Sequence, residues 1–166
     1  MRFELRDVTT SDLAAILELN QSVIPAVNSL TLENLRWFLQ NAFYFRLLAD
    51  AAGLGAFLIG LRPGTDYGSL NYRWFCQRYD DFAYVDRVAV SPRARRLGLA
   101  SMLYDDVRAA LPDDVWAMTC EVNLRPPNDG SLRYHQQRGF RQVGSQETEG
   151  GNKEVALMLL DLTRGN

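Results

Sequence analysis

The strongest constraint on the fold is a strand, a helix and a second strand that follow one another along the chain. Residues Phe82–Val90 are rich in valine and aromatic residues and end at Ser91-Pro92, which predicts a strand. From Gly98 to Leu111 the apolar residues recur with helical spacing, and Pro112 ends that helix. A second strand is predicted at Val115–Val122. A crossover of this kind is typical of proteins in which helices pack on a β-sheet.

Runs of consecutive strands lie on both sides of this crossover, which argues against a uniformly parallel Rossmann sheet. The other predicted elements are a helix from about 11 to 21, a helix that begins at Thr31, a hairpin of Phe43–Asp50 and Leu54–Arg62, a helix at Asp129–Arg138, and a hairpin of Phe140–Gln146 and Lys153–Leu162. We therefore predict an α/β fold of the mixed α+β kind, in which helices flank a central mixed β-sheet.

Length and composition indicate one folded domain over residues 1–166. The chain has 166 residues, of which 47% are hydrophobic and 23% are charged, as is usual for a globular protein. Its longest nearly apolar run, Gly53 to Leu61, is much shorter than the ~20 residues that span a bilayer. The charged start Met1–Asp7 does not resemble a secretory signal, so we expect a cytoplasmic protein without a membrane partner.

Charge, cysteine and histidine content argue against other classes of function. With a net charge of -2, the chain has no overall field that favours nucleic acid as a partner. Cys76 and Cys120 lie far apart without CxxC spacing, and His135 is the single histidine of the sequence. We therefore expect neither a disulfide framework nor a metal site.

A short basic turn joins the first strand of the crossover to its helix. Arg93, Arg95 and Arg96 provide positive charge in an otherwise acidic chain. Backbone amides at such a turn and the positive end of the helix dipole favour an anion, and Gly98 and Ala100 leave room for phosphate oxygens. Alternatively, Gly98 is a packing glycine and the arginines form a solvated surface. Neither GxGxxG nor GxxxxGKS/T occurs, which argues against nicotinamide and Walker-type nucleotide sites.

Two segments carry motifs that point to a family. Arg95-Arg96-Leu97-Gly98-Leu99-Ala100 follows a strand that ends in Val-Ala-Val, and Asn128 through Phe140 reads N-D-G-S-L-R-Y-H-Q-Q-R-G-F. In this order, they resemble the R/Q-x-x-G-x-G/A signature and the N-x-x-A/S-x-x-F-Y-x-x-x-G-F helix of the GNAT superfamily of N-acetyltransferases. The resemblance implies a splayed mixed sheet with acyl-coenzyme A between two parallel strands, here Phe82–Val90 and Val115–Val122.

The resemblance also implies which residues contact acetyl-CoA, the expected co-substrate. Backbone groups from Val88 to Val90 would bind the pantetheine arm as an added strand does, and an amide at Val88 or Val90 would stabilise the oxyanion. The amides of Arg96 to Ser101 would bind the diphosphate, while Asn128 and Ser131 would cap their helix and orient the pantetheine or adenine end. The expected cofactor-binding residues are Val88, Ala89, Val90, Arg95, Arg96, Leu97, Gly98, Leu99, Ala100, Ser101, Asn128, Ser131 and His135.

Transfer to an amine requires a base that removes a proton. Asp86 and Glu121 lie on the two strands expected to border the cofactor, so their carboxylates are the candidates. Some members of the family have a glutamate two positions before Asp86, where this chain has Tyr84. Either carboxylate could instead belong to an ion pair or to an exposed strand end, and the choice between them stays open.

The departing thiolate would accept a proton from an acid. Counted back from Gly139, the position that a tyrosine acid usually occupies in the family holds His135, and Tyr134 falls where an apolar aromatic residue is usual. An imidazolium of pKa ~6.5 is a competent acid near neutral pH, so we expect His135 to lie near the sulfur. Tyr134 is the other candidate acid, and a lone histidine on this helix could also serve packing alone.

Aromatic residues are concentrated ahead of and within the first crossover strand. Seven of them fall in the 18 positions from Tyr67 to Tyr84, and the acidic residues Asp66, Asp80, Asp81 and Asp86 lie within or next to this segment. This long connection is expected to form a wall that binds a cationic amine, with Tyr72, Trp74, Tyr84 and Asp86 as substrate contacts. The same rings could instead belong to the core or to the face of a homodimer.

The expected function is transfer of an acetyl group from acetyl-CoA to a primary amine of a small molecule or peptide, by direct attack in a ternary complex. The alternative is a catalytically silent module that binds acyl-CoA as a sensor, which the unusual His135 keeps open. A dinucleotide-dependent enzyme is a weaker reading, because both the glycine fingerprint and the strand order oppose it.

Overall fold

The described residues, 2–163, form seven strands and five α-helices in the computed structural model. The strands are β1 (Glu4–Asp7), β2 (Tyr44–Asp50), β3 (Gly53–Leu61), β4 (Phe82–Val90), β5 (Ala117–Arg125), β6 (Arg141–Thr148) and β7 (Lys153–Asp161). The helices are α1 (Leu13–Ser22), α2 (Leu32–Asn41), α3 (Leu70–Cys76), α4 (Leu99–Ala110) and α5 (Asp129–Gln137). The strands belong to one sheet in the order β1-β2-β3-β4-β5-β7-β6.

Strand directions confirm the predicted mixed sheet. β4 and β5 pair in parallel, with Phe82 opposite Ala117 and Tyr84 opposite Thr119. The hairpins β2–β3 and β6–β7 are antiparallel, as is the pair β5–β7. The predicted α/β fold, with a mixed sheet and flanking helices, is therefore correct.

The chain packs as two compact units. The first unit contains the chain up to Leu61 together with Arg87–Leu111, and therefore includes β1 to β3, the end of β4, and the helices α1, α2 and α4. The second unit contains Arg62–Asp86 and the chain from Pro112 onward, with the start of β4, the strands β5 to β7, and the helices α3 and α5. The single domain expected over residues 1–166 stays a prediction.

Helical spacing of apolar residues explains how the first unit builds its core. In α4, the side chains of Leu99, Leu103 and Val107 recur every four residues and are buried, so they lie on one face of the helix. The start of α2 follows the predicted signal at Thr31, whose hydroxyl accepts a hydrogen bond from the Asn34 amide at 3.1 Å. Both helices thus begin and pack as their sequences indicate.

Two elements were not predicted, β1 and α3. Strand β1 has only four residues, three of them charged, and it pairs with β2 alone in the sheet order, so it lacks the apolar alternation of a central strand. Helix α3 lies within the connection expected to be a long loop. Ser69 caps it by accepting a hydrogen bond from the Tyr72 amide at 3.3 Å, and Tyr72 and Phe75 are buried at i and i+3 spacing. Its aromatic composition, typical of strands, conceals a helix of two turns.

Candidate active site

The turn between β4 and α4 has a backbone conformation suited to binding an anion. Arg96 and Gly98 both have positive φ, 65° and 78°, within the left-handed region. Gly98 is the N-cap residue of α4. Its carbonyl oxygen accepts a hydrogen bond from the Met102 amide at 3.0 Å. The first amides of a helix have no carbonyl partner within it, and left-handed residues just before them create a concave set of N–H groups. The amides that lead into α4 are therefore arranged to bind an anion.

Gly98 is required here for its backbone rather than for packing. A Cβ atom built on it meets no atom within 4 Å, so no neighbouring group demands a small residue. Its φ of 78° is the reason for a glycine, because residues with a Cβ pay for that conformation. The open space beside Gly98 is what a ligand oxygen needs in order to approach the backbone.

The three arginines of the turn have different environments. Arg93 donates to both carboxylate oxygens of Asp50, at 2.8 and 3.2 Å, and to the Gly53 carbonyl at 2.8 Å. Its hydrogen bond to Asp50 is the largest cause of the lowered pKa of that carboxyl. Arg93 therefore fastens the turn to the β2–β3 hairpin, and its charge is paired with that of Asp50. All three arginines are exposed, and Arg95 and Arg96 add positive charge at the surface of the turn.

The other predicted cofactor residues lie along the same stretch of the first unit. Leu99 is buried in α4 and Leu97 is exposed, while Ala100 and Ser101 are half-buried in the first turn of that helix. At the end of β4, Ala89 is buried, whereas Val88 and Val90 are half-buried, as strand alternation requires. Their backbone contacts with a pantetheine arm stay predictions.

In the second unit, the buried Tyr84 is hydrogen-bonded to Glu121, one of the two candidate bases. The Tyr84 hydroxyl lies 2.8 Å from Glu121 Oε1 and 2.7 Å from Oε2, so it donates to the carboxylate. Tyr84 is completely buried, while Glu121 is half-buried. Burial is the largest cause of the raised pKa of Tyr84, followed by the negative charges of Glu121 and Asp86. The phenol therefore remains protonated and stays a donor.

The second candidate base has a tyrosine of its own. The Tyr67 hydroxyl donates to Asp86 Oδ1 at 2.6 Å. Asp86 follows Tyr84 by two positions in β4, so both side chains lie on the same face of the strand. The sequence indicated Asp86 but gave no signal for Tyr67, because nothing local shows that a loop residue reaches this strand.

The aromatic residues expected to form an acceptor wall pack differently from one another. Tyr72 is buried and its hydroxyl donates to the Arg62 carbonyl at 2.8 Å. Trp74 is half-buried, and the guanidinium carbon of Arg78 lies 3.9 Å from the centre of its ring. The Trp74 ring also packs against Gly144 of β6, where a Cβ atom would come within 2.6 Å of it. The structure therefore brings Tyr84 and Asp86 together with Glu121, and places Trp74 against β6. Acceptor binding by Tyr72 and Trp74 stays a prediction.

Helix α5 places His135 in a buried position with a defined tautomer. Its Nδ1 lies 2.7 Å from the Ser131 carbonyl oxygen, which can only accept, so Nδ1 carries the proton. The rings of Tyr134 and Phe140 flank it edge-on, each at 5.3 Å between centroids. Burial lowers the pKa of His135, which favours the neutral imidazole. A neutral ring with this tautomer has no proton on Nε2 to give away.

Asn128 confirms the predicted cap of α5. Its side-chain oxygen accepts a hydrogen bond from the Ser131 amide at 3.3 Å. Contacts of Asn128 and Ser131 with a ligand stay predictions. Within residues 2–163, no group of three or more His, Cys, Asp or Glu side chains is arranged to hold a metal ion. In the same range, none of the helices has the length and apolar character needed to cross a membrane.

Comparisons with known proteins agree on a family. The family model described as "Acetyltransferase (GNAT) family" matches residues 29–140. A comparison with curated proteins finds no match. Among solved structures, the chain resembles the ribosomal-protein-S18-alanine N-acetyltransferase from Escherichia coli, with 17% identity, TM-score 0.73, and coverage of 97% of this chain and 94% of that chain.

Two further solved structures are similar over nearly their full lengths. Ard1 from Thermoplasma volcanium has 16% identity and a TM-score of 0.75, with 97% of this chain and 98% of that chain covered. An N-acetyltransferase from Staphylococcus aureus Mu50 has 19% identity and a TM-score of 0.71, with 98% and 99% covered. Identities this low show the fold alone.

Proposed function

The chain belongs to the GNAT family of acetyltransferases, and on that premise we propose that it transfers an acetyl group from acetyl-CoA to a primary amine of a small molecule or peptide. The observation that carries this proposal is the turn before α4, where Arg96 and Gly98 adopt left-handed conformations and the first helical amides have no side-chain cap. A turn of this kind fits the diphosphate of a coenzyme A thioester.

Binding of acetyl-CoA relies mainly on backbone groups of the first unit. The amides from Arg96 to Ser101 bind the diphosphate, and the open side of Gly98 allows its oxygens to reach them. The exposed Arg95 and Arg96 add electrostatic attraction, which salt weakens. Val88 to Val90 hold the pantetheine arm through hydrogen bonds of the strand type.

The reaction begins when the amine loses a proton. A lysine-like ammonium has a pKa of ~10.4, so at neutral pH it needs a base, and a carboxylate of the second unit, Asp86 or Glu121, accepts the proton. The amine nitrogen then forms a bond with the thioester carbonyl carbon. A backbone N–H at Val88 or Val90 stabilises the negative oxygen of the tetrahedral intermediate. The nitrogen then loses its second proton to solvent, the C–S bond breaks as the carbonyl reforms, and the products are an amide and a thiolate.

The thiolate requires no proton from His135. A coenzyme A thiol has a pKa close to that of cysteine, ~8.5, so its thiolate is a stable enough leaving group near neutral pH and takes its proton from solvent. His135 instead stabilises α5, because its Nδ1–H is bonded to the Ser131 carbonyl and its ring is buried. Tyr134, half-buried beside it, carries a phenol on this helix and is the other candidate acid.

An acceptor that carries positive charge suits the second unit best. Asp86 and Glu121 supply two carboxylates that are both half-buried, and an ammonium group gains from such partners. The likeness to N-acetyltransferases, one of which acts on an alanine of a ribosomal protein according to its name, supports an amine acceptor.

The test is release of free thiol from acetyl-CoA with a panel of amines that includes diamines, amino acids and peptides with free N-termini. We expect at least one amine to release thiol in proportion to its acetylation, measured by mass spectrometry. Release without an acetylated amine indicates hydrolysis and contradicts the proposal.

A matched pair of glycine variants tests the diphosphate site. Gly98→Ala should weaken acetyl-CoA binding about tenfold in calorimetry, because the turn relaxes from its left-handed conformation. Gly150→Ala is the control, since Gly150 also has a left-handed φ of 66° and open space around its Cβ, but lies in the β6–β7 turn. Both variants should lose similar stability. Equal affinity for the two variants would contradict the assignment of the turn.

The second candidate function is a sensor that binds acyl-CoA without turnover. His135 lies at the position where the family usually has a tyrosine acid, and its burial with Nδ1 against the Ser131 carbonyl favours this function. Tight binding of acetyl-CoA without thiol release from any amine in the panel would select this function over the first.

A further inference from the structure

Tyr84 and Glu121 form a closely bonded polar pair in the second unit. One hydroxyl faces both oxygens of one carboxylate, at 2.8 and 2.7 Å. The Tyr84 ring packs against those of Tyr72 and Phe75, at 5.4 and 6.0 Å between centroids. Because the ring is enclosed, its hydroxyl has one fixed position, and it fixes the position of the carboxylate in turn.

The register of the two strands explains why these residues meet. Tyr84 lies opposite Thr119 in the parallel pair of β4 and β5, and residues in register share a face of the sheet. Glu121 follows Thr119 by two positions and therefore lies on that face, as Asp86 does by following Tyr84. The face thus carries two carboxylates, one on each strand.

The two carboxylates accept hydrogen bonds from tyrosines in different environments. Asp86 accepts from Tyr67, a half-buried residue of the connection before α3. Glu121 accepts from Tyr84, a completely buried strand residue. Burial is the largest cause of the raised pKa of Tyr84, and the charges of Glu121 and Asp86 raise it further, so the hydroxyl keeps the proton that it donates.

We infer that Glu121 is the general base of the proposed acetyl transfer and that Tyr84 is the residue that positions it, an inference that rests on the proposed function. The Tyr84 O–H holds the carboxylate in one orientation and stabilises its ionised form. Glu121 then accepts one proton from the ammonium group, which leaves a carboxylic acid and a free amine. The nitrogen gives up its second proton to solvent once it has bonded to the carbonyl carbon. After the C–S bond breaks, the proton held by Glu121 also passes to solvent and the carboxylate is restored.

This assignment explains why residue 84, in the core, is a tyrosine. A phenylalanine would pack as well among Tyr72 and Phe75, and a buried hydroxyl is costly unless it has a partner. The partner it has is a carboxylate that reaches back along β5. The base is thereby supplied by β5, and β4 supplies the group that orients it.

The first experiment compares two variants that each remove one buried hydroxyl. Tyr84→Phe should lower kcat about tenfold with an amine that the wild type acetylates, because the base loses its fixed orientation, while the KM for acetyl-CoA stays within about twofold. Tyr44→Phe is the control. Tyr44 is also buried and donates to a carboxylate, Asp106 Oδ2 at 2.8 Å, but in the first unit. Its kcat should equal that of the wild type.

The second measurement follows the Glu121 carboxyl directly. Carbon NMR of protein labelled at the glutamate carboxyl carbons gives its titration midpoint, and the signal that disappears in Glu121→Gln identifies it. In Tyr84→Phe the midpoint should rise by about one pH unit, since a hydrogen bond to the ionised form has been removed. Tyr44→Phe should leave it unchanged.

The outcomes separate this inference from the proposed function. If the wild type acetylates an amine but Tyr84→Phe matches Tyr44→Phe in both kcat and midpoint, the inference is wrong and the proposed function stands. A midpoint that rises without any change in kcat also overturns the inference, because the carboxylate is then not the base. A wild type that acetylates nothing overturns both.

Discussion

The turn before α4 and the carboxylate cluster of the second unit are built in opposite ways. The turn consists of consecutive residues, and what it offers a ligand is mostly backbone, set by the left-handed conformations of Arg96 and Gly98. The cluster consists of side chains from three separate segments, with Tyr67 from a connection, Tyr84 and Asp86 from β4, and Glu121 from β5. One is local and made of peptide groups, whereas the other depends on how distant segments pack.

This difference predicts how each region responds to substitution. A backbone site tolerates changes of side chain as long as the conformation is kept, and it loses affinity gradually. A site made of fixed side chains fails when a single atom changes, because a misplaced catalytic group affects the rate strongly. The turn should therefore control binding of acetyl-CoA, and the cluster should control kcat.

The largest effect should come from removing the base. Glu121→Gln keeps the shape of the side chain but cannot accept a proton, and kcat should fall about 10²- to 10⁴-fold, which is the usual contribution of general base catalysis. Asp86→Asn is the comparison, since Asp86 occupies the same face and also accepts from a tyrosine. It should lower kcat by less than about tenfold. The measurement is steady-state thiol release at saturating acetyl-CoA.

A reversed order would change the interpretation of the cluster. If Asp86→Asn lost far more activity than Glu121→Gln, the base would lie on β4 and Tyr67 would be its positioning residue. Either variant should bind acetyl-CoA with the affinity of the wild type, because neither residue belongs to the turn.

Smaller effects are expected from the exposed arginines of the turn. The double variant Arg95→Ala with Arg96→Ala should weaken acetyl-CoA binding about tenfold at low salt and by less at high salt, because exposed charges are screened. Arg36→Ala is a control that removes an exposed positive charge from α2. Calorimetry at two salt concentrations measures both. A loss that does not depend on salt would mean that the arginines act through the conformation of the turn.

Sequence alone located the turn between β4 and α4, because the residues that form it are consecutive. The strand β4 was predicted with its observed bounds, and Gly98 was identified as the residue that starts the helix. The sequence could not show that Arg93 differs from Arg95 and Arg96, because its partner Asp50 lies 43 positions away along the chain. Long-range pairing of this kind leaves no local pattern.

For the cluster, the sequence supplied the carboxylates but not their partners. Asp86 and Glu121 could be selected because both lie on predicted strands, whereas the register that brings Glu121 to Tyr84 is a property of the folded sheet. The same limit affected His135, because burial and the contact with the Ser131 carbonyl determine its protonation. Helix α3 was missed for a local reason, since its aromatic residues are typical of strands.

The smallest change in activity should follow from His135→Phe, which would show that the cluster, and not α5, contains the proton chemistry. We expect kcat to stay within about threefold of the wild type, with a similar result for Tyr134→Phe. A loss above about a hundredfold that His135→Tyr restores would instead make this position the acid.

Stability as a function of pH provides the independent measurement for His135. Burial lowers the pKa of His135 in the folded state below its ordinary value of 6.5, so the unfolded state binds a proton more readily. Below pH 6.5 the wild type should therefore lose stability that it has in full at higher pH, and the loss should continue down to the folded-state pKa. His135→Phe lacks this group, so its urea unfolding midpoint should fall less between pH 7.5 and 5.5. Parallel losses in the two proteins would mean that folding does not lower the pKa of His135, and an imidazolium at that position would again be able to act as an acid.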